Sequence, residues 1–150
     1  SDSTHLELYG GLYEWPEAMQ YGTTEGAQGI CPDGWHIPAM GEWTILTDFL
    51  GGDVVAGGKM KSTGTLEDET GLWHAPNLGA TNESGFTGLP GGYRRFNNGN
   101  FGFLGNFGYT WSSSLEFSDY ALYIALFYND FDVGQSSNNN FGLTIRCIRD

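Results

Sequence analysis

Apolar positions along this chain change their period several times, and each change marks an element. Met40, Trp43, Leu46, Phe49 and Leu50 recur at spacings of three and four, which predicts a helix over 39–50 that buries one face. Gly51-Gly52 stops it. Residues 6–15 alternate and carry Leu, Tyr and Trp, so they read as an early strand broken at Pro16. Pro16 can then open a short helix over 16–19 from its first position. Residues 22–34 and 57–83 show no period and read as loop. From Phe86 onward, short aromatic segments alternate with Gly and Asn turns. Residues 121–128 form a strand with Leu122, Ile124 and Leu126 on one face and Tyr123, Ala125 and Phe127 on the other. Residues 143–148 form a last strand. The polar residues 1–5 read as frayed. Together these elements predict one α+β domain over 1–150, with small twisted antiparallel sheets, one or two helices and long loops.

The stretch FYNDFDVGQSSNNNFG, 127–142, fits none of these periods. Asp130, Asp132 and Gly134 resemble a calcium loop, but the Gly comes one position early and Phe141 stands where an EF-hand needs Glu. Two solvated acids at a strand end explain them better. The stretch reads as a turn region joining two strands, displaying Phe127, Tyr128, Asn129, Asp132 and 136–140, with Phe131 and Val133 turned inward. No cofactor and no metal is predicted; structural calcium of another geometry stays open.

Charge narrows the partners. The 150 residues carry a net −12 with pI near 4.3, which excludes nucleic acid and anionic membrane as partners, since both need a basic footprint. No run is long enough to insert into a membrane, and no cleavable apolar leader is seen. Thirteen acids against Lys59 and Lys61 give residues 1–90 a net −11, whereas 91–150 carry five acids against four arginines. The second part is nearly neutral and holds thirteen of the eighteen Tyr and Phe, interleaved with Asn, Ser, Asp and Gly. Paratopes use such mixtures, because rigid aromatics give contact area at low entropic cost. The same rings could equally fill a core.

Other chemistry is weak. Cys31 and Cys147 lie outside any CxxC or Cys/His cluster and are either two buried thiols or one disulfide. GNFGFLGNFG, 99–108, matches neither GxGxxG nor a phosphate loop and reads as a glycine-hinged loop with Phe101, Phe103 and Phe107 anchored or displayed. His36 reads as structural, His74 as a loop residue, and a Glu116/Asp130 carboxylate pair is what any acidic chain offers. No catalytic residues are predicted.

Several longer motifs occur in order: GICPDGWHIP (29–38) with Glu42-Trp43, GGKMKSTG (57–64), ATNESGF (80–86), LPGGYR (89–94), Trp111-Ser112-Ser113 and IRCIRD (145–150). In these the chain resembles the Fibrobacter succinogenes major paralogous domain family over about 9–150. The resemblance implies a C-type lectin-like fold and a secreted or surface protein, often a lipoprotein anchored by a segment outside this chain. It also extends to the formylglycine-generating branch of that fold, whose chemistry needs active-site cysteines; Cys31 and Cys147 fit a disulfide better. Ala75-Pro76-Asn77 lacks the acid of a sugar-binding Glu-Pro-Asn, and Trp111-Ser112-Ser113 lacks both partners of Trp-Asn-Asp. Calcium-dependent sugar binding is therefore not implied.

The same family resembles variable proteins of diversity-generating retroelements, in which template adenines, often in Asn codons, are randomised. Such codons cannot yield Lys, Glu, Gln, Met or Trp. Residues 95–140 contain no Lys or Met, and only Trp111, Glu116 and Gln135 from the excluded set. The expected ligand surface lies in this variable segment. It comprises Phe96, Asn98, Asn100, Phe103, Asn106, Phe107 and Thr110 before the strand at 121–128. Leu115, Phe117, Asp119, Tyr120, Tyr123, Ala125, Phe127 and Tyr128 follow. Asn129, Asp132, Gln135, Ser137 and Asn139 complete it. The expected partner is a protein, with a glycan second.

Overall fold

Four short helices and nine strands make up the structure, a computed structural model that describes residues 2–150; Ser1 lies outside the described residues. In chain order they are α1 (Asp2–Tyr9), β1 (Tyr13–Glu14), α2 (Trp15–Ala18), β2 (Trp35–His36), α3 (Met40–Phe49) and α4 (Asp53–Met60). The strands β3 (Tyr93–Arg95), β4 (Phe101–Gly102), β5 (Phe107–Phe117), β6 (Tyr120–Phe127), β7 (Val133–Asn138), β8 (Phe141–Leu143) and β9 (Ile148–Arg149) follow. They form three antiparallel sheets, ordered β1-β8-β3-β4, β2-β9 and β5-β6-β7. The fold is α+β with small sheets and few helices.

The helix over 39–50 and the strand over 121–128 form where the periods place them, as α3 and β6. Pro16 sits in the first turn of α2. Other expectations need correction. Residues 2–9 are helical, not frayed and then extended; helix-compatible Leu6-Glu7-Leu8 outweigh the alternation, and only Tyr13–Glu14 pair as strand. On α3, Phe49 points to solvent and Thr47 takes the buried position, because the contact face is centred on Trp43 and Leu50. The loop expected over 57–83 conceals the end of α4. Gly57 and Gly58 weigh against a helix by propensity, yet the packing requires them. A Cβ at 57 would collide with the Asp132 carbonyl, and one at 58 with that of Gly79. The last strand is split, because 144–147 cross from one sheet to the next between β8 and β9. Most of the turn expected over 127–142 is strand: β7 pairs with β6 from Val133↔Leu126 to Asn138↔Ala121. Val133 is buried as expected, whereas Phe131 is exposed.

Two hydrophobic clusters lie on opposite sides of the β5-β6-β7 sheet. Ile124, Leu126 and Val133 pack with Trp43, Leu50, Ala56, Met60 and Trp73 under the helices. Trp111 and Ala121 pack with Trp15, Ala18, Met19, Cys31, Ile37, Tyr93 and Leu143 on the other side. Cys31 and Cys147 are bonded to each other, tying the loop before β2 to the chain before β9. Trp111 and the three serines after it form a hub. The Trp111 indole donates to Tyr13 O at 2.9 Å and the Ser112 hydroxyl to Leu122 O at 2.9 Å. Ser113 and Ser114 hydroxyls accept from the Gly26 and Met40 amides, each at 2.9 Å. These bonds satisfy groups that burial would otherwise leave without partners.

Lys61, at the end of α4, is completely buried. Its ammonium donates to the carbonyls of Leu78 at 2.8 Å, Phe127 at 2.7 Å and Asp130 at 2.7 Å, using all three N–H groups. It also lies 5.6 Å from the centre of the Trp73 ring. Burial pushes its pKa down to about 8, with Asp130 opposing, so the side chain is still charged at neutral pH.

Two predictions follow from these contacts. Lys61→Met removes the shared donor of the Leu78, Phe127 and Asp130 carbonyls, and we expect it to lower unfolding stability by about 3 kcal/mol, read as a drop in denaturant midpoint. His36 is held between Asp150 (2.7 Å) and Glu42 (3.0 Å), and these bonds raise its pKa, Asp150 most. Because the folded-state value lies above the unfolded one, its contribution is complete below about pH 6.5 and is lost as pH rises through the raised value. Stability curves should fall across that window, and His36→Gln should flatten the fall.

Candidate functional site

Period two places Phe107, Tyr109 and Trp111 of β5 on one face of the sheet, with Tyr123, Ala125 and Phe127 of β6 opposite them. The register pairs Phe107 with Phe127, Tyr109 with Ala125, and Trp111 with Tyr123. β7 adds only small residues here, Gly134 beside Ala125 and Ser136 beside Tyr123. This is the face turned away from α3 and α4. Trp111 is fully buried, while Phe107, Tyr109, Tyr123 and Phe127 are half-buried, so the face runs from core to solvent.

The rings form a continuous lattice. Tyr123 stands edge-on to Trp111 at 5.8 Å and to Tyr109 at 5.7 Å. Phe107 meets Phe127 at 5.5 Å and Phe103 at 4.6 Å. Phe103 leads on to Tyr93 at 5.7 Å, which stacks on Phe141 at 4.6 Å. Edge-to-face pairs at these spacings add to the burial energy and favour fixed ring orientations. Gly134 shapes its edge: a Cβ there would lie 2.7 Å from the Phe127 ring, so that ring lies across the glycine.

Polar groups on the face are few. Burial pushes the Tyr109 phenol up to about 12, reinforced by Tyr123 and Tyr93, so it stays neutral and able to donate. The Arg95 guanidinium lies 5.5 Å from the Tyr93 ring, and no carboxylate pairs with it among the described residues. The arrangement offers apolar area, phenol donors and one cation.

Of the expected ligand residues, Phe103, Phe107, Tyr123 and Phe127 meet on this face, with Tyr128 at its edge 6.4 Å from Phe107. Asn106 is half-buried beside it, its carbonyl holding the Tyr128 amide at 2.9 Å. Phe96, Asn98 and Asn100 lie apart, at the β3–β4 turn, where Arg94 covers the Phe96 ring at 5.5 Å. Phe117, Asp119 and Tyr120 form the tip of the β5–β6 hairpin. Asn139 donates to Asp119 there at 3.1 Å, and the Ser137 hydroxyl bonds Glu116. Leu115 packs against the cluster around Trp111 and Ala121. Asn129 is exposed in the β6–β7 turn with Asp132 half-covered, and Gln135 points toward Asp53 at 3.5 Å.

Two positions are corrected. Thr110 is buried and bonded to Thr144 at 3.1 Å, and Ala125 is only 5% exposed, so neither side chain reaches an exposed surface. Tyr93, Tyr109, Phe141 and Arg95 belong to the face and were missed. The alternation Phe107-Gly108-Tyr109-Thr110-Trp111 carried the signal for Tyr109; β3 and β8 are too short to give one.

No group of three His, Cys, Asp or Glu side chains able to hold a metal occurs among the described residues. His74 Nδ1 meets Glu67 at 2.7 Å, and Glu67 also accepts the Ala75 amide at 2.7 Å, which makes this pair a loop brace. Both cysteines are consumed by the disulfide. No helix among the described residues is long and apolar enough to cross a membrane.

The model of the Fibrobacter succinogenes major domain family matches residues 1–149, and the chain belongs to that family. No curated protein and no solved structure matches it.

Burial separates the expected residues into two classes, and substitution should do the same. Thr110→Tyr and Ala125→Tyr overpack closed sites and should each cost about 2 kcal/mol in denaturant unfolding. Phe117→Ser, at an exposed tip, should stay within about 0.5 kcal/mol.

Proposed function

We propose that this member of the Fibrobacter succinogenes major domain family is an extracellular, surface-displayed binding domain of C-type lectin-like fold. Its ligand is a protein, held on the aromatic face of β5 and β6. The observation that carries this proposal is the ring lattice from Trp111 and Tyr93 out to Phe103 and Phe127, a rigid apolar surface left open to solvent. Apolar contact would supply affinity, and the Tyr109 and Tyr123 hydroxyls with Arg95 would supply orientation. The cysteine bridge fits an oxidising compartment. A second part of the proposal is that retroelement mutagenesis diversifies the accessible positions in 95–140. Codon-compatible composition supports it, together with the exposure of Asn98, Asn100, Phe103, Asp119, Asn129 and Asn139.

A photoreactive phenylalanine analogue at Phe103 tests the first part against proteins from the surroundings of the source cell. The proposal expects one protein adduct, lost in a Phe107→Ser/Phe127→Ser variant that keeps its fold. Binding on a glycan array, competed by the free sugar and with no protein adduct, would overturn it in favour of a sugar-binding module. Diversification requires a reverse transcriptase gene and a near-copy of the coding segment for 95–150 beside this gene. Their absence ends that part and leaves the binding face standing.

A further inference from the structure

The outer side of α3 and the start of α4 carry large apolar side chains that the rest of the fold leaves uncovered. Ile45 and Phe49 lie one turn apart on α3 and are 71% and 85% exposed. Val54 follows at 64% in the first turn of α4, with Val55 next to it. The two helices meet at Gly51-Gly52, and Val55 Cγ2 lies 3.1 Å from where a Cβ on Gly51 would stand. The four side chains therefore flank the corner between the two helices. It is built on the helical side of the β5-β6-β7 sheet, opposite the aromatic face.

The charges around this corner are one-sided. Asp48 and Asp53 are exposed and make no ion pair among the described residues; Asp53 meets only the Gln135 amide, at 3.5 Å. Lys59 approaches the Gly51 position to 3.9 Å, but its ammonium is paired with Glu83 at 3.1 Å. The patch thus has an apolar centre and a negative rim on a chain of net charge −12. A second copy would set Asp48 and Asp53 against like charges, with −12 on each side, which opposes self-association. An anionic lipid surface is repelled for the same reason.

We propose that the α3–α4 corner docks an amphipathic basic helix of a partner protein. Its apolar stripe would lie on Ile45, Phe49 and Val54, and its Lys or Arg residues would face Asp48 and Asp53. Because this surface and the aromatic face lie on opposite sides of one sheet, the domain can hold a ligand on one and a scaffold or receptor segment on the other.

The test titrates the isotope-labelled protein with a helical Leu/Lys amphipathic peptide, a scrambled peptide of the same composition and a Leu/Glu version. The amphipathic Leu/Lys peptide should shift the amides of 44–56 and bind at least about tenfold tighter than either control, with affinity falling as salt rises. Ile45→Ser/Phe49→Ser should weaken it about tenfold with melting temperature retained. Asp48→Asn/Asp53→Asn should remove most of the salt dependence. Equal binding of the Leu/Glu peptide, or affinity untouched by the Ile45/Phe49 double change, overturns the proposal. So does a concentration-dependent dimer that Phe49→Ser abolishes, which would assign the corner to a second copy. The aromatic face is untouched by either failure.

Discussion

Everything displayed by the last third of the chain hangs on one buried ammonium. Lys61 Nζ gathers the carbonyls of Leu78, Phe127 and Asp130, so the end of α4, the loop at Leu78 and the β6–β7 turn meet at a point. A buried charge is costly, and it persists only where its donors are all used. Here they are, and the Trp73 ring closes the site from one side. Lys61 therefore sets where β6 ends and where the turn into β7 begins. The neighbouring glycines serve the same junction, since Gly57 and Gly58 let α4 come into contact with the Asp132 and Gly79 backbone. Without that approach, the hairpin that carries Phe127 and Gly134 would have no fixed height above the helices.

The sheet above this junction has two different faces. Toward α3 and α4, Ile124, Leu126 and Val133 complete an ordinary apolar core. Away from them, the core does not close: Trp111 and Tyr93 are buried, and the rings around them become steadily more exposed. The serine hub, the Cys31–Cys147 bridge and the His36 contacts hold the framework around that open face. A long covalent loop of this kind removes about 5 kcal/mol of unfolded-state freedom in the chain-entropy picture. A framework secured in this way can tolerate change on its surface.

How much of this was legible depended on side-chain size. α3 and β6 announce themselves because Trp43, Leu50, Ile124 and Leu126 repeat at the helix and strand periods. α4 was hidden by Gly57-Gly58, and β7 by the small polar run Gly134-Gln135-Ser136-Ser137, whose strand character comes from pairing with β6. Composition shows that most of the rings lie between 93 and 141. It could not separate Thr110 and Ala125, which are enclosed, from Phe103 and Phe127, which are not. That distinction rests on the β5–β6 register and on the bridges from Gly108 and Thr110 of β5 to Gly92 and Thr144, which are long-range facts. Phe49 shows the opposite failure: a perfect helical spacing put it inside, yet the contact face of α3 turns it out to solvent.

The most direct measurement of the central claim is a map of amide and aromatic shifts when the captured ligand is added to labelled protein. Changes should centre on Phe103, Phe107, Tyr123, Phe127, Gly134 and Ser136, with the hairpin tip at Phe117–Tyr120 unaffected. Changes centred on that tip, or on the β3–β4 turn at 96–100, with the aromatic lattice silent, would contradict the claim.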